Sequence, residues 1–178
     1  MSAARLFTLE TRPYHAMCYA RAKHRNQRRK YTNNPYFDHL VEVAGIVASV
    51  TTCPTMLSVA YLHDCIEDQG VKHADLLDLF GEEVADGVQW LSDMESGNRA
   101  ERKRLSRERL ARAPGWVQTI KCADLISNTS SIVDHDRVFA KVYLAEKRLT
   151  LEVLTAADPR LLDLAWVILE AGEAEING

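Results

Sequence analysis

AYLHDCIED, residues 60–68, places one histidine and three carboxylates within an apolar pattern. Its apolar residues recur at helical spacing, so we predict a helix in which side chains four positions apart share a face. On such a helix His63 lies over Glu67 and Asp64 lies over Asp68, and His63 continues an apolar stripe toward the core. Polar groups near a core are costly unless a partner satisfies them. A bound divalent cation would be such a partner.

Two further segments add polar side chains of the same kind. PYFDH, residues 35–39, places His39 at the start of a helix, on the face that its apolar residues turn inward. KCADLISNTS, residues 121–130, places Asp124 and Asn128 four positions apart, so the two can converge on one object. We expect the opposite, apolar face of that helix to contact the core.

These segments together supply two imidazoles and two carboxylates: His39, His63, Asp64 and Asp124. This mixture suits manganese, iron, cobalt or zinc better than calcium. A metal held in this way lowers the pKa of a bound water and polarises a phosphorus centre. Glu67 and Asp68 would lie just beyond the metal as proton acceptors that position the attacking water. The residues therefore favour a metal-dependent phosphohydrolase.

The charge distribution indicates an anionic ligand. The formal net charge of the chain is −3, yet residues 21–30 carry six basic groups and no acidic group. Residues 99–112 carry seven basic groups against two acidic ones. Such asymmetry on an otherwise acidic protein suggests a local anion site. Nucleic acid is not expected as a partner, because no aromatic residues are interleaved with the basic run at 21–30.

The bulk composition predicts one domain, residues 1–178, of an ordinary globular protein. The chain is 47% hydrophobic and 26% charged, and no apolar run reaches the roughly 20 residues of a membrane span. The four cysteines form no paired motif, and the N-terminal MSAARLFTLE lacks the apolar region of a signal peptide. We therefore expect a cytoplasmic protein that does not bind a membrane. Its oligomeric state cannot be read from the sequence.

Helical spacing extends over nearly the whole chain, and no segment alternates as a strand would. We predict an all-α fold with helices near 13–29, 36–51, 54–67, 73–79, 81–94, 99–112, 115–132, 135–154 and 158–172. The remaining four histidines have no partners of the metal-binding kind and are interpreted as surface or helix-end residues: His15, His24, His73 and His135.

Six pieces of the chain, in order, resemble the hydrolase domain of the RelA/SpoT-type alarmone enzymes, most closely the stand-alone small alarmone hydrolases such as the metazoan SpoT homologues. They are RRK at 28–30, PYFDH at 35–39, LHDCIED at 62–68, the segment 80–93, ERKR at 101–104 and KCADLISN at 121–128. The resemblance covers roughly residues 14–132. It implies an all-α, HD-domain helical globule.

The resemblance also implies roles for individual residues. It implies that one Mn²⁺ ion, or another divalent transition metal, is held by His39, His63, Asp64 and Asp124. It implies that Glu67 and Asp68 support the nucleophilic water. It implies five substrate contacts: Arg29, Lys30, Arg99, Asn128 and Tyr143. The implied reaction removes the 3′-pyrophosphate of (p)ppGpp to give GDP or GTP plus pyrophosphate, as part of a stringent response.

Alternatives remain for the identity of the nucleotide and for whether the protein hydrolyses it. The sequence after Asn128 diverges from the resembling family, so guanine and adenine, as in ppApp, both stay open. One alternative is an HD phosphohydrolase that acts on another nucleotide, such as the 2′-phosphate of NADPH or a dNTP. A second is a nucleotide-binding module without turnover, although the complete set of ligands and acid/base residues speaks against it.

Overall fold

The computed structural model describes residues 8–178, apart from the side chain of Ser130. The first seven residues of the segment considered for a signal peptide lie outside the described residues. The described chain forms ten α-helices: α1 Arg12–Lys23, α2 Tyr36–Ala48, α3 Pro54–Leu62, α4 Cys65–Gln69, α5 His73–Phe80, α6 Glu82–Leu91, α7 Arg99–Arg112, α8 Gly115–His135, α9 Arg137–Leu151 and α10 Pro159–Asn177.

The predicted all-α class is confirmed. Within residues 8–178 the extended structure is limited to one isolated antiparallel bridge between Arg28 and Pro35, and no strand forms. In the same range, none of the helices combines the length and the apolar character that crossing a bilayer requires.

Helix starts follow from local chemistry. Proline lies in the first turn of α1, α3 and α10, where its missing N–H is not needed. Side chains cap three starts, that of α10 among them: Asn98 accepts from the amide of Glu101, Asp136 from that of Phe139, and Asp158 from that of Arg160. These caps fix the beginnings of α7, α9 and α10.

Two predicted helices near the N-terminus are wrong in extent, and the last helix continues to Asn177 instead of ending near residue 172. The helix predicted over 54–67 is two helices, because His63 and Asp64 form a turn and Asp64 has φ −98° and ψ 0°. The helix predicted over 13–29 ends at Lys23. Beyond that point the backbone pairs with the segment before α2 instead, since the amide of Tyr36 donates to the carbonyl of Gln27.

The described chain divides into two compact units. The N-terminal unit contains the described residues up to Arg29 together with Asn34–Met94. In it α3 is the central helix and packs against α1, α2 and α6. Val59, Ala60 and Leu62 of α3 are fully buried, so the end of α3 delivers His63 into the interior of this unit.

The C-terminal unit contains Lys30–Asn33 and Glu95–Gly178, with α8 packed against α9 and α10. Helix α8 is buried on nearly every side, whereas the sequence suggested one polar face and one core face. Its polar residues Gln118, Thr119 and Ser127 are buried as well, and Gln118 donates to the carbonyls of Leu110 and Ala113. A single domain over residues 1–178 stays a prediction.

Candidate metal centre and substrate contacts

Three of the predicted metal ligands meet inside the N-terminal unit. Asp64 Oδ2 lies 3.0 Å from His63 Nε2 and 3.7 Å from His39 Nε2. Both histidines are buried, and the Asp64 side chain is 18% exposed. The two imidazole rings meet edge to face with centroids 5.3 Å apart. Two nitrogens and a carboxylate oxygen thus converge on one point.

The hydrogen bond behind the His63 ring suits a metal ligand. Its Nδ1 lies 2.8 Å from the carbonyl oxygen of Ala60, which can only accept a hydrogen bond. The proton of the neutral ring is therefore on Nδ1, and the lone pair of Nε2 faces Asp64. This arrangement, a histidine fixed from behind by a backbone carbonyl, is the usual one for metal-ligating imidazole.

Tyr36 supports this centre and was not singled out from the sequence. Its hydroxyl donates to Asp64 Oδ2 over 2.6 Å, and its ring packs edge-on against His39 with centroids 5.4 Å apart. Tyr36 is the first residue of α2 and lies three positions before His39, so both side chains are on one face. That spacing was the only signal in the sequence.

The separations fit a divalent transition metal. Nitrogen and oxygen ligands lie about 2.0–2.2 Å from such a metal, so two of them lie about 3 Å apart at a right angle and about 3.7 Å apart at an angle of roughly 120°. The 3.0 Å and 3.7 Å separations at Asp64 match this spacing. The donor set of two imidazoles and a carboxylate is also the chemistry that such metals prefer. The residues present therefore fit the implied metal.

Glu67 and Asp68 lie on α4, one turn beyond the centre, and both are exposed to solvent. Glu67 accepts from the amide of Asp93 over 2.8 Å, and Asp68 accepts from the side-chain amide of Gln27 over 2.7 Å. Partial loss of hydration, and then the charge of Asp64, raise the pKa of Asp68. Both carboxylates are thus held by N–H donors.

His24 is not the surface residue that the sequence suggested. It does lie at a helix end, but it is buried, and its ring stacks on Tyr36 with centroids 5.3 Å apart and planes 14° from parallel. Its Nδ1 lies 2.6 Å from Gln27 Oε1, and its Nε2 lies 3.6 Å from Cys65 Sγ. Burial lowers the pKa of His24. The polar neighbours in the sequence, Arg25 and Asn26, concealed this environment.

In the C-terminal unit, Asp124 and Asn128 are brought together as their spacing suggested. Asp124 is 7% exposed, and its carboxylate accepts from Asn128 Nδ2 over 2.7 Å and from Lys121 Nζ over 2.8 Å. The Lys121 ammonium and the Asn128 amide both stabilise the charged form of this carboxylate. Asp124 is therefore held as an anion on α8.

Three of the predicted substrate contacts lie near the aromatic ring of Phe139, also in the C-terminal unit. Arg99 lies 5.2 Å and Lys30 5.4 Å from its centroid, and the Tyr143 ring lies 6.3 Å away. Arg99 also makes a bidentate pair with Glu146, both distances being 2.7 Å. Arg29 belongs to the N-terminal unit, where it is half-buried.

Lys147 was missed entirely. It is the largest fully buried side chain in the described chain, and its ammonium donates to Thr129 Oγ1 over 2.7 Å. Burial lowers the pKa of Lys147 to about 8. Its sequence context, AEKR, resembles a solvated helix face and carries no signal of burial.

Comparison with known proteins agrees with this fold and chemistry. A family model described as an HD domain matches residues 16–122. The guanosine-3′,5′-bis(diphosphate) 3′-pyrophosphohydrolase of Drosophila melanogaster is 40% identical over 114 residues, which are 62% of this chain and 63% of that protein. The GTP pyrophosphokinase of Brucella melitensis is 33% identical over 170 residues, 91% of this chain but 22% of that protein. The chain thus spans less than two thirds of either relative.

Solved structures give the same result. A metazoan orthologue of SpoT, described as hydrolysing ppGpp and acting in starvation responses, superposes with a TM-score of 0.84 at 27% identity, covering 90% of this chain and 94% of that one. A Listeria monocytogenes protein superposes with a TM-score of 0.68 at 22% identity, covering 80% and 98%, which shows the shared fold. The chain therefore belongs to the HD domain family, and it is a relative of the RelA/SpoT-type ppGpp hydrolases.

Proposed function

We propose that this protein is a metal-dependent phosphohydrolase that removes the 3′-pyrophosphate of an alarmone nucleotide, giving GDP or GTP plus pyrophosphate from (p)ppGpp. The observation that carries the proposal is the buried convergence of His39, His63 and Asp64, with the lone pair of His63 Nε2 turned toward it. The likeness to ppGpp hydrolases in sequence and fold supports the choice of substrate.

The proposed ligands of a single ion are His39, His63, Asp64 and Asp124. Asp124 completes this set because the KxADxxxN pattern at 121–128 resembles the segment that supplies the fourth ligand in the alarmone hydrolases. Mn²⁺ is the proposed metal, and other divalent transition metals share the same ligand preference. When bound, the metal would acidify a water molecule and polarise the phosphoryl group.

Side chains of this protein would orient the metal ligands and accept the proton of the attacking water. Tyr36 holds one oxygen of Asp64, so the carboxylate orientation is fixed before a metal binds. Glu67 and Asp68 would accept the proton of the attacking water, and their exposure lets that proton pass to solvent.

Substrate binding is proposed for Arg29, Lys30, Arg99, Asn128 and Tyr143. The proposal for Arg99 is supported by its contact with Glu146, because the guanidinium holds this carboxylate in the bidentate geometry that a phosphate would take. We propose that substrate phosphate replaces Glu146 on Arg99. The described cationic groups around Phe139 suit a small, highly anionic nucleotide rather than a nucleic acid strand.

The identity of the nucleobase, guanine or adenine, is a separate part of the proposal. Guanine follows from the relatives' names, and adenine, as in ppApp, is kept because the chain diverges from the resembling family after Asn128. We propose that the protein acts in the cytoplasm, where these nucleotides are made and where its four free thiols stay reduced. Removal of alarmone there would end a stringent response.

A substrate panel tests the proposal. Purified protein with Mn²⁺ is incubated with ppGpp, ppApp, NADPH and a dNTP mixture, with and without chelator, and products are separated by anion exchange. Chelator-sensitive turnover of ppGpp or ppApp supports the proposal and identifies the base. Turnover of NADPH or a dNTP in place of both alarmones would reassign the substrate. Binding without turnover of any of them would favour the non-catalytic module.

A further inference from the structure

A continuous set of hydrogen bonds leads to Asp68 from inside the N-terminal unit. Gln27 donates from Nε2 to Asp68 Oδ2 over 2.7 Å, and its Oε1 lies 2.6 Å from His24 Nδ1. Gln69 Nε2 donates to the same Oε1. His24 Nε2 in turn lies 3.6 Å from Cys65 Sγ, within reach of a thiol hydrogen bond. A hydrogen-bonded set of four side chains therefore ends at the Asp68 carboxylate: Cys65, His24, Gln69 and Gln27.

The direction of every bond in this set is determined. An ionised carboxylate can only accept, so the amide nitrogen of Gln27 must face Asp68. The carbonyl oxygen of Gln27 must then face His24, and it too can only accept. The proton of His24 is therefore on Nδ1, and its Nε2 is left to accept from the thiol of Cys65. Reversing any one donor would place two acceptors against each other.

The environment keeps each group in the required state. His24 and Cys65 are buried, and burial lowers the pKa of His24. The neutral ring carries one N–H, and its other nitrogen faces the sulfur of Cys65. Stacking on Tyr36 holds the plane of the His24 ring, and Gln27 Oε1 near Nδ1 and Cys65 Sγ near Nε2 select the orientation of the ring within that plane. The orientations of the His24 ring and of the Gln27 carboxamide are therefore fixed by their contacts.

We propose that Gln27 is a positioning residue that holds the Asp68 carboxylate toward the metal centre, and that His24 sets the orientation of the Gln27 carboxamide. The inference rests on the proposed function in one respect, the role of Asp68 with the attacking water. Neither Gln27 nor His24 touches a proposed metal ligand through the hydrogen bonds described above. Loss of Gln27 should therefore lower turnover and leave metal binding unchanged, whereas loss of the His24 ring also removes the stack on Tyr36, the donor to Asp64, and should weaken metal binding as well.

The kinetic test uses Gln27→Met, which keeps the length of the side chain but cannot donate. We expect kcat to fall about 10- to 100-fold, the usual loss for a residue that orients a site group, with KM and Mn²⁺ affinity unchanged. At saturating Mn²⁺, His24→Leu should lower kcat by a similar factor, and the double variant should have a kcat no lower than either single variant, because both changes remove the same restraint on Asp68. His24→Asn should retain most activity, since its amide can donate from the position of Nδ1.

His73→Leu is the matched control, since His73 is also at a helix end but is only half-buried and is paired with Asp86. It should leave kcat unchanged. Thermal melts show which variants fold. If His24→Leu fails to fold, His24→Asn and Gln27→Met still test the proposed roles of His24 and Gln27. Additive losses in the double variant, or full activity in Gln27→Met, would overturn the proposal.

A measurement that needs no turnover separates this inference from the proposed reaction. Nitrogen-15 NMR of the wild-type imidazole should show His24 with its proton on Nδ1, and the Gln27 side-chain amide should shift upon Asp68→Ala. If the wild-type protein hydrolyses no alarmone, the proposed function fails, and these signals alone test the arrangement. A His24 proton on Nε2, or a Gln27 amide insensitive to Asp68→Ala, would overturn it.

Discussion

Replacing Lys147 by methionine should stabilise the protein near neutral pH and much less at alkaline pH. The side chain is fully buried, and burial lowers its pKa from 10.5 to about 8. The unfolded chain thus binds a proton that the folded chain releases between about pH 8 and 10.5, and the stability of the wild type rises over this range.

The magnitude follows from that difference in pKa. It corresponds to roughly 3 kcal/mol that the buried charge costs below about pH 8. Methionine removes this cost but also removes the hydrogen bond to Thr129, which contributes about 1 kcal/mol. The net expectation is therefore a gain of about 2 kcal/mol in the free energy of unfolding near pH 7. The gain should vanish or change sign near pH 10.

Urea denaturation under reducing conditions at the two pH values measures this difference, and comparing variant with wild type cancels the titration of other groups. Lys141→Met is the matched control, because Lys141 lies on the same helix and is exposed. It should change stability by under about 0.5 kcal/mol at both pH values. If the difference in free energy of unfolding between Lys147→Met and wild type stays constant from neutral to alkaline pH, no proton is linked to folding at Lys147 and the prediction is wrong.

Three further predictions concern the site and its scaffold. Tyr36→Phe removes the donor to Asp64 and should weaken Mn²⁺ binding about 10- to 100-fold in calorimetry, and unchanged affinity would refute this. His63→Ala should abolish metal-supported turnover, and full activity would contradict the ligand assignment. Gly115→Ala should lower the free energy of unfolding by about 1–3 kcal/mol in denaturation, because an added Cβ would lie 2.3 Å from a backbone carbonyl oxygen. Gly45→Ala, with nothing within 4 Å of its Cβ position, should not destabilise, and equal losses in both glycine variants would refute the clash.

The part of the metal centre that follows the apolar pattern could be predicted from the sequence. His39 and His63 are buried because each continues a stripe of core residues, and a periodic pattern records that directly. The turn at Asp64 could not be predicted, because one residue leaving helical geometry changes no apolar spacing. The roles of Arg29, Lys30, Arg99 and Tyr143 stay predictions.

Other residues were missed because their environment is set by contacts distant in sequence. His24 follows a polar, basic helix end, and only its stacking on Tyr36 turns it inward. Lys147 lies among charged residues that indicate a solvated face, yet the packing of α9 on α8 buries it. Charged residues are almost never fully buried, so a sequence pattern assigns such a lysine to the surface.

The most direct test of the central claim is phosphorus NMR of ppGpp incubated with Mn²⁺ and the protein. We expect that pyrophosphate and GDP appear together in equal amounts, that chelator stops the reaction, that added Mn²⁺ restores it, and that His63→Ala is inactive. Release of inorganic phosphate in place of pyrophosphate, or hydrolysis that continues in excess chelator, would contradict it.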